Sequence, residues 1–259
     1  MKKRLGYTWI ALVLLFLYAP IAMMIALSFN DSVSRANWGG FTLDWYKELL
    51  NSPQIIEALK VTLEVAVLAA IISTILGTMA ALGMYGGKGK LTSAITTLSY
   101  IPMTTPDVVT GVAMMLMFVF INMPLSKTTM LLAHITFDTP YVVFNVLPRL
   151  KQMNPNTYEA ACDLGCTPRQ AMTKVILPEI MPGVVSGMLM AFTMSLDDFV
   201  ISYFTSNLDQ NLSMVVYSSA RKGVEPTMYA LSACIFVVVL TLLLIANLRP
   251  AAADAKKTY

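Results

Sequence analysis

The sequence predicts an all-α integral membrane protein with six transmembrane helices, and three observations predict it. Hydrophobic residues make up 56% of the 259 residues and charged residues only 13%, about half the charged share usual in a soluble domain. Mean hydropathy is +0.65. Apolar stretches of 18 or more residues recur along the whole chain, and a stretch of that length crosses the hydrocarbon layer as a helix. The apolar residues therefore face lipid as well as each other. Three cysteines (Cys162, Cys166, Cys234) and one histidine (His134) are too few and too scattered for a disulfide framework or a zinc cage.

The six spans fall near 8–28, 61–83, 95–121, 129–147, 180–206 and 228–248. The first follows Lys2, Lys3 and Arg4 as a signal peptide would, but its apolar run from Trp9 to Leu27 exceeds the 7–15 residues of a signal core, so it reads as an uncleaved anchor. Placing the termini and alternate loops on one side puts twelve of the 18 Lys and Arg there and six on the other. Because the loops are short, this bias assigns both termini and the 148–179 loop to the cytoplasm. Loop 29–60, the turn at 122–128 and loop 207–227 then lie outside.

Loop 29–60 reads as a small ordered cap, since Phe41, Leu43, Trp45, Tyr46, Leu49 and Leu50 recur with partly helical spacing. Trp38 and Trp45 fit two roles, anchoring in the headgroup belt or docking an external partner. Residues 251–259 form a short polar tail.

The segment 154–178 is punctuated as two short helices outside the membrane. Asn154 is placed to cap one helix with Pro155 at its first position, and Gly165 to end it in a left-handed turn. Thr167, Pro168 and Gln170 then supply a second cap, a first-turn proline and a capping-box partner, and Pro178 is expected to stop that helix. Ala160, Ala161 and Gly165 are expected on the exposed side beside Glu159, Arg169 and Lys174. Small residues there suit close approach to a groove on another protein.

The string Glu159-Ala160-Ala161, then Gly165, then Val175-Ile176-Leu177-Pro178 resembles the EAA loop of ABC-importer permease subunits, with valine where isoleucine is usual. Gly40-Phe41-Thr42-Leu43-Asp44-Trp45-Tyr46, Pro140-Tyr141-Val142 after His134, and Ser195-Leu196-Asp197-Asp198-Phe199 extend the resemblance to the smaller membrane subunit of the spermidine/putrescine importer family over nearly the entire chain. The resemblance implies a single permease domain over 1–259 with the type I ABC importer architecture, in a bacterial inner membrane. It implies a second permease subunit as hetero-dimer partner, two cytoplasmic ATP-binding subunits and a periplasmic substrate-binding protein. It also makes Glu159, Ala160, Ala161, Gly165, Leu177 and Pro178 the residues that couple to the ATPase.

No cofactor is expected in this chain, with ATP and Mg held by the partner ATPase. The one glycine-lysine cluster, Gly86-Gly87-Lys88-Gly89-Lys90-Leu91-Thr92, fails the phosphate-loop spacing because leucine follows Lys90. Nothing resembles an acid–base pair with a nucleophile, so the chain is not expected to be an enzyme, and no metal or nucleic acid is expected.

Five acids fall within the spans: Glu64, Asp107, Asp138, Asp197 and Asp198. No Lys or Arg lies in a span to neutralise them, and each costs about 3 kcal/mol or more there without water or a partner. Ser195, Ser202 and Thr205 stand at helical steps around Asp198, and Tyr100, Thr104, Thr110 and Gly111 around Asp107, so both stripes read as cavity faces. Each acid is also open to a structural reading, a protonated carboxyl bonded between helices, and more so Glu64 and Asp138. A flexible polycation wants spaced carboxylates and aromatic faces, for which Tyr100, Phe199 and Tyr203 are available, and Trp45 is a further candidate for the path. Anion importers would show Arg, Lys or helix N-termini there instead. An importer of another cationic solute remains open, as does a proton-coupled secondary carrier, although no paired repeats of the kind carriers show are found.

Overall fold

The computed structural model describes residues 2–34, 36–87 and 90–254. Arg35, Lys88 and Gly89 of the glycine-lysine cluster, and residues 255–259 of the polar tail lie outside the described residues. The helices are α1 (Lys2–Leu27), α2 (Asp44–Asn51), α3 (Pro53–Gly86), α4 (Lys90–Thr104), α5 (Asp107–Phe120), α6 (Lys127–Gln152), α7 (Thr157–Asp163), α8 (Pro168–Ala171), a π-helical turn Met172–Ile176, α9 (Leu177–Asp197), α10 (Val200–Thr205), α11 (Leu212–Lys222) and α12 (Pro226–Asp254). Among the described residues the only β pairing is an isolated bridge between Asn30 and Phe41. The all-α class expected from the sequence is what the chain adopts.

Four helical runs are long and apolar enough to cross a membrane: Gly6–Leu27, Pro53–Gly86, Lys127–Gln152 and Pro168–Asp197. The pair α4 and α5 adds a fifth if counted as one broken span. In α12 the apolar part among the described side chains is the shorter Pro226–Thr241.

The chain forms two compact units, residues 1–56 with 216–259 and residues 57–215. In the first, α1 packs on α12 and α2 on α12. Trp9, Leu15 and Phe16 of α1 are all more than half exposed, as suits a helix whose solvent is lipid. The segment after α1 is the ordered cap that the sequence predicts. Asn30 holds it from its centre: its side chain accepts from Gly39 N at 2.8 Å and Ser32 N at 3.2 Å and donates to the Asn37 carbonyl at 2.9 Å. Phe29 stacks on Phe41, with centroids 5.4 Å apart.

In the second unit, α6 is the central post. Its valines Val142, Val143 and Val146, with Leu147 and Leu150, join Ala70 and Ala81 of α3 and Ile180 and Ala191 of α9 in one buried cluster. A second cluster joins Phe118 of α5, Ala133 and Phe137 of α6 and Ile201 of α10. The approach of α3 and α9 to α6 requires glycine. A Cβ on Gly77 would stand 2.6 Å from Val142 Cβ, and one on Gly183 would stand 2.6 Å from Arg149 Cγ and 3.0 Å from the Asn145 carbonyl.

Several expectations are corrected. The third span is no straight rod over 95–121: α4 ends at Thr104, Pro106 takes an extended ψ of 137°, and α5 departs at 109°. Pro106 bars its predecessor from helical geometry, so the chain turns there. The second span starts at Pro53, eight residues before 61. The fifth is interrupted at Asp198, whose ψ is 127°.

Pro178 does not stop the helix begun at Thr167. The helix runs on from Pro168 to Asp197, because the chain widens into a π turn just before the proline, with Leu177 N bonding back five residues to the Met172 carbonyl. That wider turn accommodates a ring that would otherwise clash with the preceding turn. Asn154 caps a tight turn rather than a helix, its Oδ1 accepting from Asn156 N at 3.0 Å and its carbonyl from Thr157 N at 3.0 Å. The helix α7 begins only at Thr157.

Candidate functional site

The break between α9 and α10 frees backbone groups that would be costly at membrane depth without partners. Asp198 supplies them. Its Oδ2 accepts from Ser202 N at 2.8 Å and its Oδ1 from Ile201 N at 3.2 Å, so the carboxylate caps the first turn of α10. The Asp198 carbonyl accepts from Asn211 Nδ2 at 2.8 Å.

His134 of α6 closes the cluster. Its Nδ1 lies 2.6 Å from Ser195 Oγ, and its Nε2 lies 2.9 Å from Ser202 Oγ and 3.4 Å from Asp198 Oδ2. The bond pattern assigns the tautomer. Ser202 gives its one hydroxyl hydrogen to Asp198 Oδ2 at 2.9 Å and accepts from Asn211 Nδ2 at 2.8 Å. In the neutral ring, Nε2 therefore carries the hydrogen and Nδ1 accepts from Ser195. His134 and Ser202 are at most 1% exposed and Ser195 and Asn211 2%. The Asp198 side chain is 8% exposed. A negative charge is thus held rigidly at a helix break; the next residue, Phe199, pairs with Tyr203 with centroids 5.5 Å apart, and Tyr203 is 56% exposed.

The other predicted path residues are placed as follows. Ser195 belongs to the Asp198 cluster, whereas Asp197 ends α9 and is exposed. Asp107 is exposed in the first turn of α5. The 109° bend separates it from Tyr100 and Thr104 on α4, so no single helical stripe joins these three to Thr110 and Gly111 as the sequence predicts. Tyr100 stacks on Phe144 with centroids 4.0 Å apart. Thr104 Oγ1 bonds the carbonyls of its own helix. An open groove of about 300 Å³ at the bend is lined by Ile101, Pro102, Val109, Thr110, Met114 and Thr136 among others, and by no carboxylate.

Glu64 is not left uncompensated. It pairs with Lys127 at the start of α6, a cation that the sequence reading places in the neighbouring turn. Asp138 is fully buried on α6, and no protein group hydrogen-bonds either of its oxygens. Trp45, in the other unit, donates from Nε1 to the Asn30 carbonyl at 2.7 Å and ties α2 to the segment that follows α1.

At the opposite end of α9 lies the EAA-like segment. Gly165 has φ +91°. Cys166 N bonds the Ala161 carbonyl at 3.1 Å and Gly165 N the Cys162 carbonyl at 2.9 Å, the paired bonds of a glycine-terminated helix. Thr167 and Gln170 form the expected capping box, with Thr167 N donating to Gln170 Oε1 at 3.0 Å and Gln170 N to Thr167 Oγ1 at 3.4 Å. Glu159, Ala160 and Pro178 are exposed and Leu177 is partly so. Ala161, expected on the exposed side, is 7% exposed and packs inward, because one turn of α7 cannot show three neighbouring positions on one face. A groove of about 410 Å³ here is lined by Asn154, Thr157, Ala160, Ala161, Leu164 and Val175 among others.

His134 and Asn211 are the participants that sequence reading missed as organisers of the cluster. The step of four between His134 and Asp138 was visible, but nothing in the sequence shows which serines the ring meets.

Residues 73–252 match the family described as binding-protein-dependent transport system inner membrane component. The chain is similar to the putrescine transport system permease protein PotI of Escherichia coli (strain K12), 40% identical over 232 residues that cover 85% of this chain and 81% of the relative. It is also similar to the spermidine/putrescine transport system permease protein PotC of Haemophilus influenzae, 35% identical over 90% of this chain and 91% of the relative. Its fold is like that of a chain in a bacterial ABC transporter involved in import of the acidic polysaccharide alginate, with TM-score 0.71 and 21% identity over 95% of this chain and 94% of that one. The chain belongs to the family of binding-protein-dependent transport system inner membrane components, multi-pass proteins of the inner membrane.

Proposed function

We propose that this chain is a permease subunit of an ATP-driven importer of polyamines. It makes half of the translocation path together with a second permease, receives cargo from an external binding protein and is driven by two ATP-binding subunits. It binds no nucleotide itself; ATP and Mg are held by those partners. The termini and the 148–179 connection lie on the cytoplasmic side, and α12 makes the sixth crossing.

One observation carries the cargo assignment: the Asp198 charge is buried, fixed by three hydrogen bonds and a histidine, and followed in the chain by the Phe199–Tyr203 ring pair. A carboxylate beside aromatic faces is the chemistry that a flexible polyammonium chain selects. The names of the relatives, putrescine and spermidine/putrescine permeases, support the same class. Asp107, Asp197, Tyr100, Thr104 and Trp45 are assigned to the path on the sequence argument. Glu159, Ala160, Gly165 and the Leu177-Pro178 step form the docking side of the coupling segment, supported by the groove beside Ala160 and by the rigid cap at Thr167.

The test is reconstitution. Proteoliposomes carrying this chain, its permease partner, the ATPase and the binding protein should accumulate radiolabelled spermidine or putrescine only with ATP. Accumulation by this chain alone, or ATP-driven uptake of sulfate in place of either amine, would overturn the assignment.

A further inference from the structure

Asp138 is a buried acid that the geometry described so far leaves without a task. Among the described residues, the buried side-chain polar atoms lacking a protein partner are its two carboxyl oxygens and Thr78 Oγ1. The contrast with Asp198 is sharp. Asp198 spends its charge on two backbone N–H groups and a serine hydroxyl, with His134 at 3.4 Å. Asp138, one helical turn beyond His134 on α6, has none of these.

The surroundings supply no counter-charge. On α6 the flanking titratable groups are His134 and Tyr141. The α9–α10 break brings Asp198 and, on its exposed side, Asp197; α5, which also packs on α6, carries Asp107 in its first turn. α4 brings Tyr100, stacked on Phe144, and α3 carries no titratable side chain between Glu64 and Tyr85. An ionised carboxylate without partners in such a place is far too costly to persist. Asp198 has hydrogen bonds to hold its charge, and Asp138 has none.

We propose that Asp138 is a proton-exchange site: it rests as the neutral acid and releases its proton to water when an ammonium group of the transported polycation seats beside it. This rests on the polyamine reading above. The O–H bond of the carboxyl breaks, the proton leaves to solvent, and the ammonium group, already protonated, pairs with the carboxylate, so one positive charge enters as one departs. A second negative charge thereby exists only while cargo is present to balance it.

The experiment is spermidine binding to the assembled transporter in nanodiscs, without binding protein, in weak buffer with a pH-sensitive dye. Between about pH 5.5 and 7.5 the amines of spermidine stay charged, so a proton released comes from protein, and linkage makes the apparent Kd rise about tenfold for each pH unit lowered. Wild type should release about one proton per spermidine bound, and Asp138→Asn none, with a flat Kd. No release by wild type, or equal release by Asp138→Asn, overturns the proposal. Should Asp138→Asn fail to assemble, His134→Gln decides: a slope that survives supports Asp138, and a slope that vanishes gives the proton to His134 and overturns the proposal. A wild-type complex that binds no spermidine at all would remove the polyamine reading and this inference with it, whereas binding without proton release removes only the inference.

Discussion

Asp198→Asn separates the helix cap that Asp198 makes from the cation ligand it is proposed to be. The amide keeps the shape of the carboxylate and, with its oxygen placed at Oδ2, still accepts from Ser202 N at 2.8 Å and from Ser202 Oγ at 2.9 Å. Its NH2 then faces Ile201 N, where Oδ1 had accepted at 3.2 Å, and one capping bond becomes a donor facing a donor. That costs the fold about 1–2 kcal/mol. The charge loss is felt by cargo: a hydrogen bond to a charged group contributes about 1.5–3 kcal/mol, so spermidine should bind roughly 10- to 150-fold more weakly.

The assay is equilibrium binding of radiolabelled spermidine to the assembled complex, compared with Ser202→Ala. Ser202→Ala removes the hydroxyl that Asp198, His134 and Asn211 share and disturbs the fold at least as much, yet it leaves the negative charge in place. Asp198→Asn should therefore lose far more affinity than Ser202→Ala at similar thermal stability. A Kd for Asp198→Asn within twofold of wild type, or equal losses in both variants, would refute Asp198 as a cation ligand and leave it as a helix cap.

The remaining predictions concern packing, coupling and the outer cap. Gly77→Ala drives a methyl to 2.6 Å from Val142 Cβ, which cannot rotate away, whereas Gly83→Ala meets nothing within 4 Å. The first should lower stability by about 1–3 kcal/mol and the second leave it unchanged or raise it by up to about 1 kcal/mol, read as midpoints of thermal aggregation in detergent. Gly165→Ala places a side chain at φ +91° and should cost about 1 kcal/mol locally, seen as faster amide exchange in 157–166. Glu159→Lys, at an exposed position, should leave assembly intact while ATP hydrolysis proceeds without uptake; coupled turnover at the wild-type ratio would remove Glu159 from the docking surface. Trp45→Phe deletes the 2.7 Å bond to the Asn30 carbonyl, a loss of about 1 kcal/mol. It should speed proteolysis within 29–52 while sparing α1 and α3.

What the sequence makes legible is what local chemistry decides. Thr167, Pro168 and Gln170 specify a capping box by their spacing alone, and Gly165 ends a helix because only glycine enters that backbone region freely. The cap after α1 could be read from aromatic recurrence. Breaks were harder to place. Pro106 and Pro178 are both prolines in apolar segments, yet the first turns the chain by 109° and the second is absorbed by a π turn, a difference set by what surrounds each. The interruption at Asp198 contains no proline or glycine, and it exists because a side chain and Asn211, thirteen residues on, take up the freed backbone groups. The acids were visible as a set, but their partners come from distant elements. Lys127 meets Glu64 across 63 residues and His134 meets Ser195 across 61, and no helical period encodes such meetings.

The continuity from Thr167 to Asp197 has a mechanical consequence. Had Pro178 ended the first helix, the capping box and the acid cluster would stand on separate elements with a hinge between them. The capping box instead opens, and Asp198 follows directly on, one helical run of 30 residues, roughly 45 Å at the rise of an α-helix. Along that run α9 lies against α6 at Gly183 and Gly187, where a Cβ would already meet Arg149 or Val142. α6 is also the helix that carries His134 and Asp138. A displacement of the Thr167 end would reach α9 and α6 together, since close-packed interiors shift rather than compress. The first extended residue beyond the run is Asp198, tied to the imidazole of His134 and to Ser202. The run thus ends at the place where charge is held.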